Sequence, residues 1–299
     1  MKVLRFAAID IGSNSIRLLF MDALESGQET IFNKTSLIRE QLRLGEDVFN
    51  YRMIREFKVD KLEHIMMAFR HLILANDVLR YRACATAAMR EASNGLEIID
   101  RIWKESGISI DIISPEDEAR IIYSYELKDL INRDRNYLYV DVGGGDTVIT
   151  IVSRKQAIDS RSFPIGTIRL LHELVTADQF EEMNDWLLQC CRKYPRPEII
   201  ATGGDINKAY RFTEKPSGKH LTYKELDKLT NYIKSFTFED RIKFLGLNFD
   251  RADVITIAID IYLRIMKLTG STVIWVPQIG LADGIVQQLY EEYKRESYI

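Results

Sequence analysis

Ala8-Ile9-Asp10-Ile11-Gly12-Ser13-Asn14-Ser15-Ile16-Arg17 aligns without a gap with Tyr139-Val140-Asp141-Val142-Gly143-Gly144-Gly145-Asp146-Thr147-Val148. Each stretch is an apolar run, then an Asp, then a turn of small residues, then a second apolar run. An Asp at the end of a buried strand does not serve packing, because a buried carboxylate is costly unless it is paired or binds a cation. The glycines and small hydroxyl residues after it let backbone N–H groups approach an anion closely. Two such turns in one chain predict a duplicated fold whose halves face each other across a phosphate-bearing ligand with a metal ion.

The 299 residues suffice for about two domains of ordinary size. With 46% hydrophobic and 28% charged residues the composition is that of a soluble globular protein. A net charge of −3 gives no global attraction to nucleic acid or to an anionic membrane, so a polyanion would need a local basic patch. The three cysteines, Cys84, Cys190 and Cys191, have no framework spacing and predict reduced thiols in a cytoplasm. Asp10 comes too soon after Met1 for a signal peptide, and no apolar run approaches the ~18 residues of a membrane span.

Strands and helices alternate along the whole chain, which places it in the α/β class. Val3–Ile9 and Ile16–Met21 read as a hairpin around the first turn, and Glu29–Leu44 as further extended chain. A long amphipathic helix follows through Leu62, Ile65, Met66, Phe69, Leu72 and Ile73, with Asp60 and Glu63 as its expected N-cap pair. Ser114-Pro115-Glu116-Asp117 is a strong helix start, with Ser at N-cap, Pro at N1 and an acid at N3. Polar Asn132–Asn136 is the candidate boundary region, and the expected division is residues 1–122 and 123–299. Capping patterns at Thr176 and Thr222, a helix over Arg251–Leu268 closed by Gly270, and a last helix from Leu281 that crosses back to the first domain complete the second half.

The candidate chemistry lies on the turns. Asp10 and Asp141 are expected to hold a divalent cation, directly or through water, and to polarise an attacking water; the plain alternative is that each caps its turn. Gly12, Ser13, Asn14 and Ser15, with Gly143, Gly144, Gly145 and Thr147, form the expected phosphate cradle. Thr202-Gly203-Gly204 is a third small-residue turn at a strand end. Glu118 sits in the first turn of its helix, where the dipole favours an acid, and could equally be a general base for a water attacking phosphorus. Arg17, Arg90 and Arg169 lie near these turns, and an arginine fork suits phosphate. His64, His71, His172 and His220 show no metal-ligand spacing.

Together these residues resemble the exopolyphosphatase / guanosine pentaphosphate phosphohydrolase family, a branch of the actin–Hsp70–sugar kinase fold. The resemblance runs through Ala8–Ser15, Ala85-Thr86-Ala87-Ala88-Met89-Arg90-Glu91-Ala92, Ser114–Arg120, Asp141–Gly145, Thr202-Gly203-Gly204, Arg251-Ala252-Asp253 and Gly280-Leu281-Ala282-Asp283-Gly284. It implies two ribonuclease H-like domains around an interdomain cleft, and a hydrolase that releases terminal phosphate from polyphosphate or guanosine pentaphosphate. It also implies Mg²⁺ or another divalent cation, Glu118 as the catalytic carboxylate, Arg17 and Arg90 as phosphate readers, and a homodimer. Nucleic acid and membrane are not implied as partners.

The chain departs from the family pattern at one turn. Where the family continues Gly-Gly-Gly-Ser-Thr-Glu, this sequence has Asp146 for the hydroxyl and Val148 for the carboxylate. One expectation is that Asp146 takes over as a metal or water ligand. The other is an impaired site that binds guanosine tetraphosphate or polyphosphate without turnover. A kinase or ATPase of the same fold is the remaining alternative.

Overall fold

A computed structural model describes residues 2–27, 29–124, 132, 135–216 and 218–297. The chain divides into two compact units, residues 1–125 with 281–299 and residues 126–280. In unit 1, β1 (Lys2–Ile11), β2 (Ser15–Ser26) and β3 (Glu29–Gln41) form an antiparallel meander. Then come α1 (Leu44–Tyr51), α2 (Glu56–Ala75), β4 (Arg80–Ala85), α3 (Ala87–Glu91), α4 (Gly95–Ser106), β5 (Ile110–Ile112) and α5 (Pro115–Ser124). The sheet order is β3-β2-β1-β4-β5, with β4 parallel to β1 and β5 parallel to β4. As the central strand, β1 is covered on both faces, which is why Phe6-Ala7-Ala8-Ile9 reads as an unbroken apolar run.

Two local expectations differ from the structure here. Leu44 begins α1 rather than ending an extended stretch. Asp60 and Glu63 lie inside α2, which starts at Glu56. The cause is Asp47 of α1, fully buried, whose carboxylate accepts from the Arg55 backbone N–H at 3.0 Å, from its guanidinium at 2.7 Å and from Lys58 at 2.8 Å. A carboxylate eight residues back therefore anchors the start of the helix.

Unit 2 repeats the plan. It holds β6 (Asn136–Val142), β7 (Thr147–Ser153), β8 (Gln156–Phe163), α6 (Thr167–Leu171), α7 (Ala177–Lys193), β9 (Glu198–Thr202) and α8 (Gly204–Arg211). There follow β10 (Leu221–Thr222), α9 (Tyr223–Lys234), α10 (Phe238–Lys243), α11 (Phe249–Ala252), α12 (Ile255–Thr269) and β11 (Val273–Trp275). The sheet runs β10-β11-β9-β6-β7-β8, again a meander beside parallel strands. Full capping boxes start α7 at Thr176 and α9 at Thr222. The single helix read over Arg251–Leu268 is interrupted at Asp253-Val254, where Arg241 takes the Ala252 carbonyl at 2.9 Å.

The last helix, α13 (Leu281–Ser297), belongs to unit 1. Leu281, Ile285, Val286 and Leu289 pack with Phe6, Leu19, Met21 and Ile121, each side chain contributing ~1.5–3 kcal/mol by its burial. The backbones of α13 and α5 meet at Gly284, where a Cβ would collide with the Ile121 carbonyl. The stretch Gly280–Gly284 is thus the entry of a helix, and the sequence division after residue 122 falls inside α5.

The two sheets place their acids alike. Asp10 is the penultimate residue of β1, level with Arg17 on β2 and Cys84 on β4. Asp141 is the penultimate residue of β6, level with Val148 on β7 and Thr202 on β9. Both carboxylates stand at the C-terminal end of a central strand, the end where open α/β sheets bind ligands.

Candidate active site

The first turn is held from behind by the start of α1. Gly12 N–H donates to Ser15 O at 3.1 Å and closes the turn, while the Ser13 and Asn14 carbonyls accept from Gly45 N–H at 2.9 Å and Arg43 N–H at 3.1 Å. Tying the carbonyls to α1 turns the peptide N–H groups of the turn the other way, the arrangement of an anion-binding nest. Gly45 is required for this approach, since its Cβ would lie 2.9 Å from that of Ser13. The Ser15 hydroxyl oxygen is buried without a hydrogen-bond partner among the described residues.

Asp10 is buried, with Arg17 Nη1 at 3.2 Å from Oδ2. Burial pushes its carboxyl above the usual range, Arg17 pulls it back, and the charge of Asp283 on α13 pushes it further up. Asp283 is itself buried and pairs with Lys34 of β3 at 2.6 Å. Glu118 is buried in the first turn of α5, whose start is fixed by Ser114 Oγ accepting from Asp117 N–H at 3.0 Å. Arg90 of α3 donates to the carbonyl of Ile113, the residue before that cap, at 3.0 Å. Cys84 lies within the same field: burial lifts its thiol to about 12, with Asp111, Asp10 and Glu118 adding to the rise against Arg82. It stays protonated and is no nucleophile. Unit 1 therefore gathers Asp10, the Gly12–Ser15 turn, Arg17, Arg90 and Glu118 around the ends of β1, β4 and β5.

The second turn has the same construction. Gly143 N–H donates to Asp146 O at 2.9 Å; the Gly143 and Gly144 carbonyls accept from Thr167 N–H at 3.0 Å and Ile168 N–H at 2.8 Å at the start of α6. The third carbonyl, of Gly145, is held by Arg169 Nε at 2.7 Å. Gly166 lies so close beneath the turn that a Cβ would strike the Gly144 and Gly145 backbone. The Thr167 hydroxyl, buried beside this cradle, has no partner among the described residues.

Asp141 Oδ1 accepts from the Thr202 hydroxyl at 2.5 Å, and fully buried Tyr262 donates to the Thr202 carbonyl. Gly203 follows with φ 114°, a conformation that favours glycine, and its missing Cβ leaves room for the Val142 carbonyl. Gly204 opens α8, on which Asp205 pairs with Arg251 at 3.1 Å. Asp146 accepts from Ser162 at 3.2 Å, whereas Val148 packs as a buried apolar residue opposite Asp141. Thr147, read as a phosphate ligand, is fully buried and donates its hydroxyl to Ile165 O at 2.5 Å. That hydroxyl joins β7 to the entry of α6.

The sequence profile of the Ppx/GppA phosphatase family matches residues 25–293. The chain belongs to that family. Among curated proteins it is similar to exopolyphosphatase 1 of Mycobacterium tuberculosis, 24% identical over 304 residues that cover 95% of this chain and 87% of the relative. Among solved structures it is similar to the Aquifex aeolicus Ppx/GppA family member, with a TM-score of 0.74 at 26% identity, covering 97% of this chain and 99% of the other. An exopolyphosphatase structure from Cytophaga hutchinsonii shares the fold, with a TM-score of 0.82 at 23% identity over 96% and 98% of the two chains.

In this Ppx/GppA chain, no group of three or more His, Cys, Asp or Glu side chains among the described residues is placed to hold a metal unaided. Each unit nevertheless offers a carboxylate of the kind Mg²⁺ takes, since Mg²⁺ binds one or two carboxylates, keeps several waters and accepts substrate phosphate oxygens. Asp10 and Asp141 are hard oxygen ligands, and a cation would offset the burial that raises the Asp10 carboxyl. Gly45, Gly166, Asp283 and Lys34 were not singled out as site residues from sequence. A glycine immediately before or within the first turn of a helix was the available signal for the first two.

Proposed function

We propose that this Ppx/GppA chain is an exopolyphosphatase, hydrolysing the terminal phosphoanhydride of inorganic polyphosphate. The carrying observation is that buried Glu118 stands in unit 1 with Asp10, Arg90 and a turn whose Ser13 and Asn14 carbonyls are tied to the start of α1. Backbone N–H groups of Ser13–Ser15 in unit 1, and likewise of Gly144–Asp146 in unit 2, are suited to bind phosphoryl oxygens and to stabilise charge that moves onto them in a transition state. Glu118 accepts the proton of the water that attacks phosphorus. Arg17 and Arg90 are suited to hold further phosphates, and in unit 2 Asp141, fixed by Thr202, is suited to orient a water. Asp10 in unit 1 and Asp141 in unit 2 are the carboxylates that would each hold a divalent cation such as Mg²⁺, which would supply neutralisation of phosphoryl charge. Positioning and charge stabilisation account for most of such a reaction, and no covalent intermediate is needed. Guanosine pentaphosphate carries the same kind of tail and is the second proposed substrate.

Buried Val148 opposite Asp141 favours one other reading, a protein that binds such tails without turnover. Phosphate release from polyphosphate and from guanosine pentaphosphate, with Mg²⁺ and with EDTA, separates the two. Release that EDTA abolishes supports the hydrolase. Tight binding with no release over hours supports the sensor, and ATP-dependent phosphorylation of an acceptor overturns both.

A further inference from the structure

At the far end of the unit 2 sheet lies a cavity of about 910 Å³, lined by Asn136, Ser153, Gln156 and Tyr194 with the cations Arg154 and Lys193. It opens at the first residue of β6, and Gly143 follows the last. Seven strand residues separate the two, so the cavity is roughly 20 Å from the second turn.

Three observations set this cavity apart. Arg154 and Lys193 have no ion pair or hydrogen bond among the described residues, although the acids at this end of the sheet are engaged: Glu198 by Arg135 and Trp275, Asp159 by Trp186. Arg192 and Arg196 flank Lys193 and add charge of the same sign, in a chain whose net charge is −3. The hairpin that carries Arg154 is strained. Arg154 and Lys155 are the two central residues of the β7–β8 turn and have φ 52° and 65°. Such a turn favours Asn-Gly or Asp-Gly, and side chains at positive φ are retained where the surroundings or the function require them.

We infer that this cavity binds a distal stretch of a polyphosphate chain whose end occupies the catalytic turns. The inference rests on the proposed polyphosphate activity. Partnerless cations with amide and hydroxyl donors suit a flexible chain of phosphates, which needs charge and hydrogen bonds but no aromatic platform. Tripolyphosphate is too short to reach both places, so the cavity contributes to the binding of long chains alone.

The test is the KM for chains of several hundred phosphates against that for tripolyphosphate, in Lys193→Ala and in Arg154→Asn with Lys155→Gly. The second variant installs the favoured turn pair, so it melts no lower than the wild type while losing the cavity cation Arg154. The expected result is a long-chain KM raised about tenfold at low salt, with a shallower salt dependence and unchanged tripolyphosphate kinetics. Titration of long-chain polyphosphate onto Glu118→Gln, with and without these changes, reads the cavity independently of turnover. Affinity lost with the cations supports the cavity even if the wild type releases no phosphate. Unchanged affinity overturns it, whatever the activity. A single-stranded oligodeoxynucleotide bound as tightly through the same residues would overturn the assignment to polyphosphate.

Discussion

Arg17 faces Asp10 across β1 and β2, its Nη1 3.2 Å from Oδ2, while the matched pair in unit 2 is Asp141 and Val148. The duplication is therefore faithful in backbone and divergent in charge. One carboxylate is neutralised by a guanidinium, the other is fixed by a hydroxyl from Thr202. Replacing Arg17 by Met leaves a buried carboxylate without this cation. Because the guanidinium is a quarter exposed, the cost should fall at or below the lower end of the range for broken buried pairs, about 2–3 kcal/mol. Urea unfolding at pH 7 checks this, and an unchanged midpoint would contradict it.

Asp10 should cost stability that its function requires. Its folded carboxyl is raised by burial, so the native state holds the proton more tightly than the unfolded chain. Stability then falls as pH rises from the unfolded carboxyl range near 4 through the raised folded value. Asp10→Asn should accordingly be more stable than the wild type at pH 7 by about 1 kcal/mol. The gain should shrink as pH is lowered towards 4, and activity should be lost throughout. Melting curves from pH 4 to pH 8 test the sign.

The strands and their Asp turns were legible because the signal is local: an apolar run, an acid and small residues within ten positions. What lay beyond reach depends on contacts distant in sequence. Gly166 matters through the backbone of Gly144 and Gly145, Asp283 through Asp10 and Lys34, and the break between α11 and α12 through Arg241. The start of α2 moved for the same reason, since Asp47 binds Arg55 from another helix. The Thr147 hydroxyl is engaged by the Ile165 carbonyl, a contact 18 residues away that no local pattern shows.

Gly166→Ala should be among the most damaging single changes in unit 2. The added methyl has only backbone to displace, so the second turn must shift. A loss of about 2–3 kcal/mol is expected, in the upper range for overpacked sites. Gly45→Ala should be milder, because its nearest clash is with the Phe49 ring, which can rotate away, although the Ser13 Cβ cannot.

Arg169 holds the Gly145 carbonyl at 2.7 Å and should act on catalysis through the turn. Arg169→Met should lower kcat/KM by about tenfold or more with a stability change near 1 kcal/mol, the value of one hydrogen bond. Equal losses of stability and activity, with kcat unaffected in the folded fraction, would show that it only supports the fold.

Asp146 occupies the position matched by Ser15 and accepts from Ser162 at 3.2 Å. If it has assumed the duty of the carboxylate missing at Val148, Asp146→Ala and Asp146→Ser should both lose activity. Faster phosphate release by Asp146→Ser than by the wild type would show that the acid repels substrate.

Glu118 is proposed to activate the water that attacks phosphorus. Phosphate release from long-chain polyphosphate with Mg²⁺ should be rapid for the wild type and reduced about 10²–10⁴-fold for Glu118→Gln, with polyphosphate binding retained. Full activity in Glu118→Gln would exclude Glu118 as the base, and no release by a wild type that still binds polyphosphate would exclude the hydrolase.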